Sequence, residues 1–351
     1  MSRIFFFGTG ADAEQVYLKL TSYKDLYKDV ISGFVDNDSG KWGKMFHEYM
    51  VYAPERLGEG HFDYVVICSV NYQAAIREQL TKDLNIPEDK ILFWRTYLSK
   101  VNIAYQYDRY IRDNPSRSYN NNIFDTSRTV VYTAIEGDYD RLKDPLFIGD
   151  NITYVCYTDN RDIRSDIWQM RYVDRRSDGN SALGIRDFKI RPHEYFRDYS
   201  LTIWVDASFT ITGNLNEYAR TYGRGGSFLC FPHPERKCIY QECGELISIC
   251  KERPAALIRQ AAEYLSDGYP ENNGLYAGGV LVRDTHDKTL DMCMEDWWKE
   301  VNRHTLRDQQ SLPYVLWKAG IVPDVSDLDI NNNPYLNNNA HVMGHWSRMS
   351  W

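Results

Sequence analysis

The sequence predicts an α/β protein in two parts: a parallel-sheet module over residues 1–98 and a second α/β domain over 128–351, joined by a linker at 99–127. Three observations predict it. In the first hundred residues short apolar runs alternate with stretches of helical spacing, as in strand–helix–strand units whose parallel sheet is covered on both faces. A glycine turn, Gly8-Thr9-Gly10, separates the first apolar run from the first helical stretch. A second series of strand-like runs begins at Thr129, after a stretch rich in Tyr, Arg and Asn that has no apolar period. At 351 residues the chain is long for one average domain and suits two.

The elements follow in order. Ile4 to Phe7 is a short buried strand that runs into the turn at Gly8, and residues 12–22 place Ala13, Val16, Tyr17 and Leu20 at helical spacing. Val30 to Val35 is a second strand, Asp63 to Ser69 a third and Ile91 to Phe93 a fourth. Between the last two, Gln73 to Leu84 forms an amphipathic helix with Ile76, Leu80 and Leu84 on one stripe. The linker holds at most one helix, near 103–111, and the run Asn120-Asn121-Asn122. In the second domain Thr129 to Thr133 and Ile152 to Tyr157 are strands, and Leu201 to Ile211 is a strong strand with Asp206 in its middle. Pro254 to Leu265 is a helix with Pro in its first turn and Gly268 beyond its end. Gly278 to Arg283 is a further strand, and Asp308 to Lys318 is helical despite Pro313.

Composition excludes several classes. A 43% hydrophobic and 26% charged chain is not globally disordered. No run approaches the apolar length that crosses a bilayer, and Gly8 and Asp12 come too early for a signal-peptide core. A net charge of −8 argues against a nucleic-acid partner. Seven cysteines without an export signal are expected as reduced thiols of a cytoplasmic protein. The 27 Tyr and 9 Trp suit sugar-binding clefts as well as cores, since each has an apolar face and a polar tip.

Gly8-Thr9-Gly10-Ala11-Asp12-Ala13 fits G-x-G-x-x-A between a strand and a helix, the setting of a dinucleotide fingerprint. Gly8 makes the tight turn, Gly10 lets backbone approach a pyrophosphate, and Asp36, 26 residues further on, is placed to accept a ribose hydroxyl. Asp12 puts a negative charge near those phosphates, and about 100 residues is half a full dinucleotide fold. The alternative is a scaffold or docking module. The segments FGTGADAEQVY, GFVDNDSGKWGKMFHEYMVYAPERL, DYVVICS and NIPEDKIL resemble the small Rossmann-like domain of nucleotide-sugar-modifying and capsule-synthesis proteins. That resemblance implies a fold and leaves the chemistry open.

In the second domain, six segments keep one order along the chain: 131–145 (VYTAIEGDYDRLKDP), 156–160 (CYTDN), 168–174 (WQMRYVD), 189–211 (KIRPHEYFRDYSLTIWVDASFTI), 233–242 (HPERKCIYQE) and 307–320 (RDQQSLPYVLWKAG). Together they resemble the glycosyltransferase-like family described for plant mucilage and turgor-regulation proteins, with bacterial members. The resemblance implies a GT-A-type domain that moves a sugar from a nucleotide-diphosphate donor to a glycan or lipid-linked acceptor. A bacterial capsule, O-antigen or exopolysaccharide pathway is its natural setting, with peripheral association to a synthesis complex.

The resemblance also implies roles. Asp206 stands where GT-A enzymes carry the Asp-x-Asp that holds Mn or Mg, with Ser208 in place of the second Asp. His345, or His341, is the late histidine expected to complete that metal site. Thr133, Ala134 and Ile135 end the first strand and Tyr157 and Asp159 the second, where the nucleoside is expected. Arg186, Lys189 and Arg191 are the cations for the diphosphate. Gly278 and Gly279 permit close approach of donor sugar or acceptor. His233, Arg236 and Trp298 are acceptor-side candidates, and Asp308 is the catalytic carboxylate that faces the reacting sugar.

Read from residues alone, Asp206 can equally cap a turn and Asp308 a helix N-terminus. Two other functional classes stay open. A non-catalytic nucleotide-sugar-binding or scaffold protein is consistent with Ser208. An NAD-dependent oxidoreductase or epimerase would use Gly8 and Gly10, but the one Tyr-x-x-x-Lys pair, Tyr314 and Lys318, lies in the other domain. His233, Cys238 and Cys243 lack the fourth ligand of a zinc site.

Overall fold

The structure is a computed structural model and describes residues 2–23, 29–58, 60–118, 124–138, 140–174 and 181–338. The chain divides into two compact units, Met1–Asp108 and Arg109–Trp351.

The first unit is a sheet of β1 (Arg3–Phe7), β2 (Val30–Val35), β3 (Met45–Phe46), β4 (Tyr49–Tyr52), β5 (Tyr64–Ile67) and β6 (Ile91–Phe93), in the order β3-β4-β2-β1-β5-β6. All neighbours are parallel except the β3–β4 hairpin at one edge. Alternation along β1 explains why both faces are covered. Ile4 and Phe6 pack with Ala13, Val16 and Leu20 of α1 (Ala11–Thr21), whereas Phe5 and Phe7 pack on the other side with Ile76 of α2 (Gln73–Glu78). The expected helix over 73–84 widens into a π-helical stretch at Gln79–Asp83. The expected linker 99–127 holds most of α3 (Trp94–Asp113), a helix of 20 residues.

The second unit is built on a seven-stranded sheet. In chain order its main elements are β7 (Thr129–Ile135), β8 (Ile152–Thr158), β9 (Gln169–Tyr172), α4 (Ser181–Ile190), α5 (Pro192–Tyr195), β10 (Leu201–Val205), β11 (Thr210–Ile211), α6 (Leu215–Tyr222) and β12 (Phe228–Pro232). Then come α7 (Ile239–Ser248), α8 (Pro254–Ser266), β13 (Tyr276–Asp284), α9 (Lys288–Arg303), α10 (Asp308–Lys318), β14 (Asp324–Val325) and β15 (Leu336–Asn337). The sheet order is β14-β12-β13-β10-β7-β8-β9, and β13 alone runs against the others. β11 and β15 form a separate pair.

One face of this sheet carries the main core, with Val131, Ile203, Val205, Leu229, Val280 and Val282 packed on Leu215, Tyr218 and Ala219 of α6. The opposite face carries Tyr132, Trp204 and Arg283, all fully buried. Arg283 Nη1 donates to the Tyr132 hydroxyl at 2.9 Å and to the Lys189 carbonyl at 2.8 Å. It thereby caps the C-terminal end of α4, where a cation suits the helix dipole.

The parallel strands β7, β8, β10 and β12 end at one edge of the sheet, and the reversed β13 begins there. The order turns back at β7, whose neighbours are β8 on one side and β10 on the other. In open α/β sheets ligands bind outside the carboxyl ends of the strands at such a switch point. The strand expected over 201–211 stops at Val205, which is a correction. The Asp206 amide turns to the Gly279 carbonyl (2.8 Å), and the Phe209 amide closes a turn on the Asp206 carbonyl (3.0 Å). Asp206 therefore leaves the strand at the ligand-facing edge.

Candidate active site

At this edge α4, β10, β13 and α10 bring together Lys189, Asp206, Gly278 and Asp308. The Lys189 ammonium lies 2.6 Å from Asp308 Oδ2 and 3.5 Å from Asp206 Oδ1. Lys189 is 8% exposed, Asp308 15% and Asp206 39%, so Asp206 is the member of the trio most open to solvent. Two indoles hold these residues, one through a carboxylate and one through the backbone. Trp204 Nε1 donates to Asp206 Oδ1 at 2.5 Å, and Trp297 Nε1 donates to the Asp308 carbonyl at 3.0 Å. The Gln309 amide donates to Asp308 Oδ1 at 3.0 Å, an intrahelical contact that fits the N-terminus of α10.

The environment separates the two acids. Burial raises the Asp308 carboxyl, but the Lys189 ammonium and then the Arg186 guanidinium outweigh it and bring the pKa down to about 2. Burial also raises Asp206, and here it prevails: Lys189 opposes it while the Asp308 charge adds to it, so Asp206 lies above the ordinary carboxylate value. Burial pulls the Lys189 ammonium down, yet Asp206 and Asp308 together push it above the usual lysine value.

The adjoining cleft is lined by Ala134 and Ile135 at the end of β7, Tyr157 and Asp159 at the end of β8, and Asp187 and Phe188 of α4. It encloses about 110 Å³, small beside the clefts that hold whole ligands. Phe188 faces the cleft and its neighbour Lys189 the charged centre. The Tyr157 ring stacks on Phe188 (4.0 Å between centroids) and its hydroxyl accepts from Arg171 at 2.7 Å. Asp159 Oδ1 accepts from the Gly137 amide at 2.6 Å. Thr133, beneath them in β7, is buried.

The remaining candidates fall elsewhere. Arg191 pairs with Asp187 (3.1 Å) and Glu295 (2.7 Å), and lies over the Trp298 ring at 5.8 Å. His233 follows β12 at the same sheet edge, but its Nδ1 accepts from the Glu235 and Arg236 amides at 3.2 and 3.1 Å. Arg236 is paired with Glu235 and Glu242. Cys238 accepts a backbone amide, that of Asn272, and all seven cysteines are free thiols.

In the first unit Gly8 adopts φ +105°, and a Cβ there would stand 3.0 Å from the Cys68 carbonyl oxygen. Gly10 precedes α1 as its N-cap. Asp36 is occupied from within. Its Oδ2 accepts from the Thr9 amide (3.0 Å), the Thr9 hydroxyl (2.6 Å) and Lys41 (2.9 Å), and its Oδ1 from the Asp38 amide (2.9 Å). Asp12 accepts the Val70 amide at 2.9 Å.

Among the described residues, cations flank the turn at Asp206 where a divalent cation is expected. Ammonium groups border the turn on two sides: Lys189 against the Asp206 carboxylate, and Lys143, whose Nζ donates to the Ser208 carbonyl at 2.5 Å. The one cluster of three metal-ligating side chains among the described residues is His193, Glu194 and Glu295, which does not include Asp206. His341 and His345 lie outside the described residues.

The paired glycines differ in what surrounds them. A Cβ on Gly279 would come 2.8 Å from the buried Phe209 ring and 3.3 Å from Ile330, whereas one on Gly278 would meet the Lys189 ammonium at 3.1 Å. Gly279→Ala is therefore expected to cost about 1–3 kcal/mol through overpacking, read as a lower melting temperature. An unchanged melting temperature rejects this packing.

Residues 166–328 match the TOD1/MUCI70 glycosyltransferase-like domain. Residues 1–92 match the C2185-like N-terminal domain. No curated protein matches the chain. Among the described residues no helix is long and apolar enough to cross a membrane. Arg283 and Lys143 were not foreseen from the sequence; Trp297, which the sequence offers with Trp298 as a sugar platform, is instead fully buried with its indole on the Asp308 carbonyl. Trp204 had a local signal, two residues before Asp206 on the same strand face.

Proposed function

We propose that this chain, which carries a TOD1/MUCI70 glycosyltransferase-like domain, moves a sugar from a nucleotide-diphosphate donor to a hydroxyl of a glycan or lipid-linked acceptor in bacterial surface polysaccharide synthesis. One observation carries the reading: the Lys189, Asp206 and Asp308 centre stands beside a cleft at the carboxyl ends of β7 and β8. The cleft wall is acidic at Asp159 and Asp187, which suits ribose hydroxyls and base N–H donors and turns phosphates away. The phosphates then point along α4 to Arg186 and Lys189, the cations of that helix beside the Asp206 and Asp308 carboxylates.

In the reaction the bond between the anomeric carbon and the diphosphate oxygen breaks, and the electron pair leaves with the nucleoside diphosphate. The acceptor oxygen bonds to the anomeric carbon and gives up its proton. Asp206, the carboxylate open to solvent, is the group placed to take that proton. Asp308, held at about 2 by its cations, is too weak a base near neutrality and serves to orient hydroxyls and the ammonium.

A panel of nucleotide sugars tests this, with and without added acceptor glycans, with release of nucleoside diphosphate as the readout. One donor is expected to be consumed, and Asp206→Asn to slow its consumption about 10²–10⁴-fold while the protein stays folded. A panel in which no donor is consumed and none raises the melting temperature rejects the reading.

A further inference from the structure

We propose that Lys189, assisted by Arg186, supplies the positive charge that stabilises the departing diphosphate, so that this site works without a divalent cation. The inference rests on the transferase reading above and specifies how its leaving group is neutralised.

Lys189 is nine-tenths buried yet keeps its ammonium at the ligand edge, 2.6 Å from one carboxylate and 3.5 Å from the other. A metal bound by Asp206 would sit against that ammonium and be repelled by it. Arg186 stands one turn earlier on α4, on the same helix face, and its charge reaches both Lys189 and Asp308. Arg283 fixes the end of α4 through the Lys189 carbonyl, and the Trp204 ring lies under the ammonium at 5.8 Å. Gly278 leaves the ammonium room: a Cβ would crowd it at 3.1 Å. A preorganised cation aimed where charge develops is what leaving-group stabilisation requires. When the C–O bond breaks, the β-phosphate oxygen takes the electron pair, and Lys189 and Arg186 meet the added negative charge by hydrogen bonding without transferring a proton.

The test is calorimetric binding of uridine, guanosine, adenosine and cytidine diphosphates to the full chain, in excess EDTA and in saturating magnesium or manganese. One diphosphate is expected to bind with the same affinity, within about threefold, in all three conditions. Lys189→Met should weaken it about 10–100-fold, the worth of a charge-assisted contact, and should weaken the matching monophosphate less. The variant also leaves Asp206 and Asp308 without their ammonium, so manganese should restore part of its binding. Should Lys189→Met fail to fold, Arg186→Gln on the partly exposed side of α4 gives the same comparison. Wild-type binding that appears only with metal overturns the inference and leaves the transferase reading intact, as does a folded Lys189→Met that binds like wild type. Absence of binding by every diphosphate in every condition overturns both.

Discussion

Replacing Asp308 by Asn is expected to lower the transfer rate about a hundredfold or more without unfolding the protein. Asp308 has one oxygen on Lys189 at 2.6 Å and the other on the Gln309 amide at 3.0 Å. An asparagine keeps the size and one acceptor but removes the charge that holds the ammonium toward the site. Lys189 then turns fully to Asp206, 3.5 Å away, and the two charges needed for reaction neutralise one another. Steady-state kinetics should show the loss in kcat more than in KM. A folded Asp308→Asn variant with near wild-type kcat would remove Asp308 from the machinery.

The same substitution has a signature in stability. The folded Asp308 carboxyl titrates at about 2, below an unfolded aspartate at about 4. Its contribution is therefore present above the unfolded value and is lost as pH falls from about 4 through about 2. Asp206 has the opposite sign. Its folded value is raised, so its contribution is largest when protonated and declines as pH rises from the unfolded to the folded value. Asp308→Asn should flatten the acid limb of the melting-temperature profile, and an unchanged limb would show that the ion pair contributes nothing there.

The largest effect on folding is expected at Asp324. This carboxylate is fully buried at the start of β14 and accepts four hydrogen bonds: Tyr110 hydroxyl (2.6 Å), Arg117 Nη1 (2.6 Å), and the amides of Arg224 (2.7 Å) and Gly226 (2.9 Å). Asp324→Ala strands all four donors. Breaking one side of a buried pair costs about 3–5 kcal/mol, and the 22% exposure of Arg117 favours the lower end. That corresponds to a fall of about 6–12 °C in the melting of this unit. Asp324→Asn, which retains one carbonyl acceptor, should fall between wild type and Ala. A loss near zero for Ala would mean that water replaces the carboxylate.

What the sequence by itself determined is what short-range periodicity encodes. The alternation Ile4-Phe5-Phe6-Phe7 dictates a strand buried on both faces, and Gly8 a turn that a side chain would obstruct at the Cys68 carbonyl. The helix at 254–266, with its N-terminal Pro, and the parallel sheets follow from the same local rules. Asp206 and Asp308 were identifiable as chemistry-bearing because ordered segments around them resemble a known family, and Asp206 because a carboxylate after an apolar strand must find a partner.

Tertiary structure alone decided what those partners are. Lys189, Asp206, Gly278 and Asp308 come from four separate elements, and Gly278 lies beside Asp206 because β13 runs against β10 and so begins where β10 ends. No spacing rule reports that an ammonium stands between two aspartates, or that Lys143 and Lys189 flank the turn where metal ligands were expected. Nor does it report that Thr9, Asp38 and Lys41 take up the Asp36 carboxylate. Periodicity records which face of an element is apolar. Which charge meets which across the sheet edge depends on strand order and direction, and these arise from burying many faces at once.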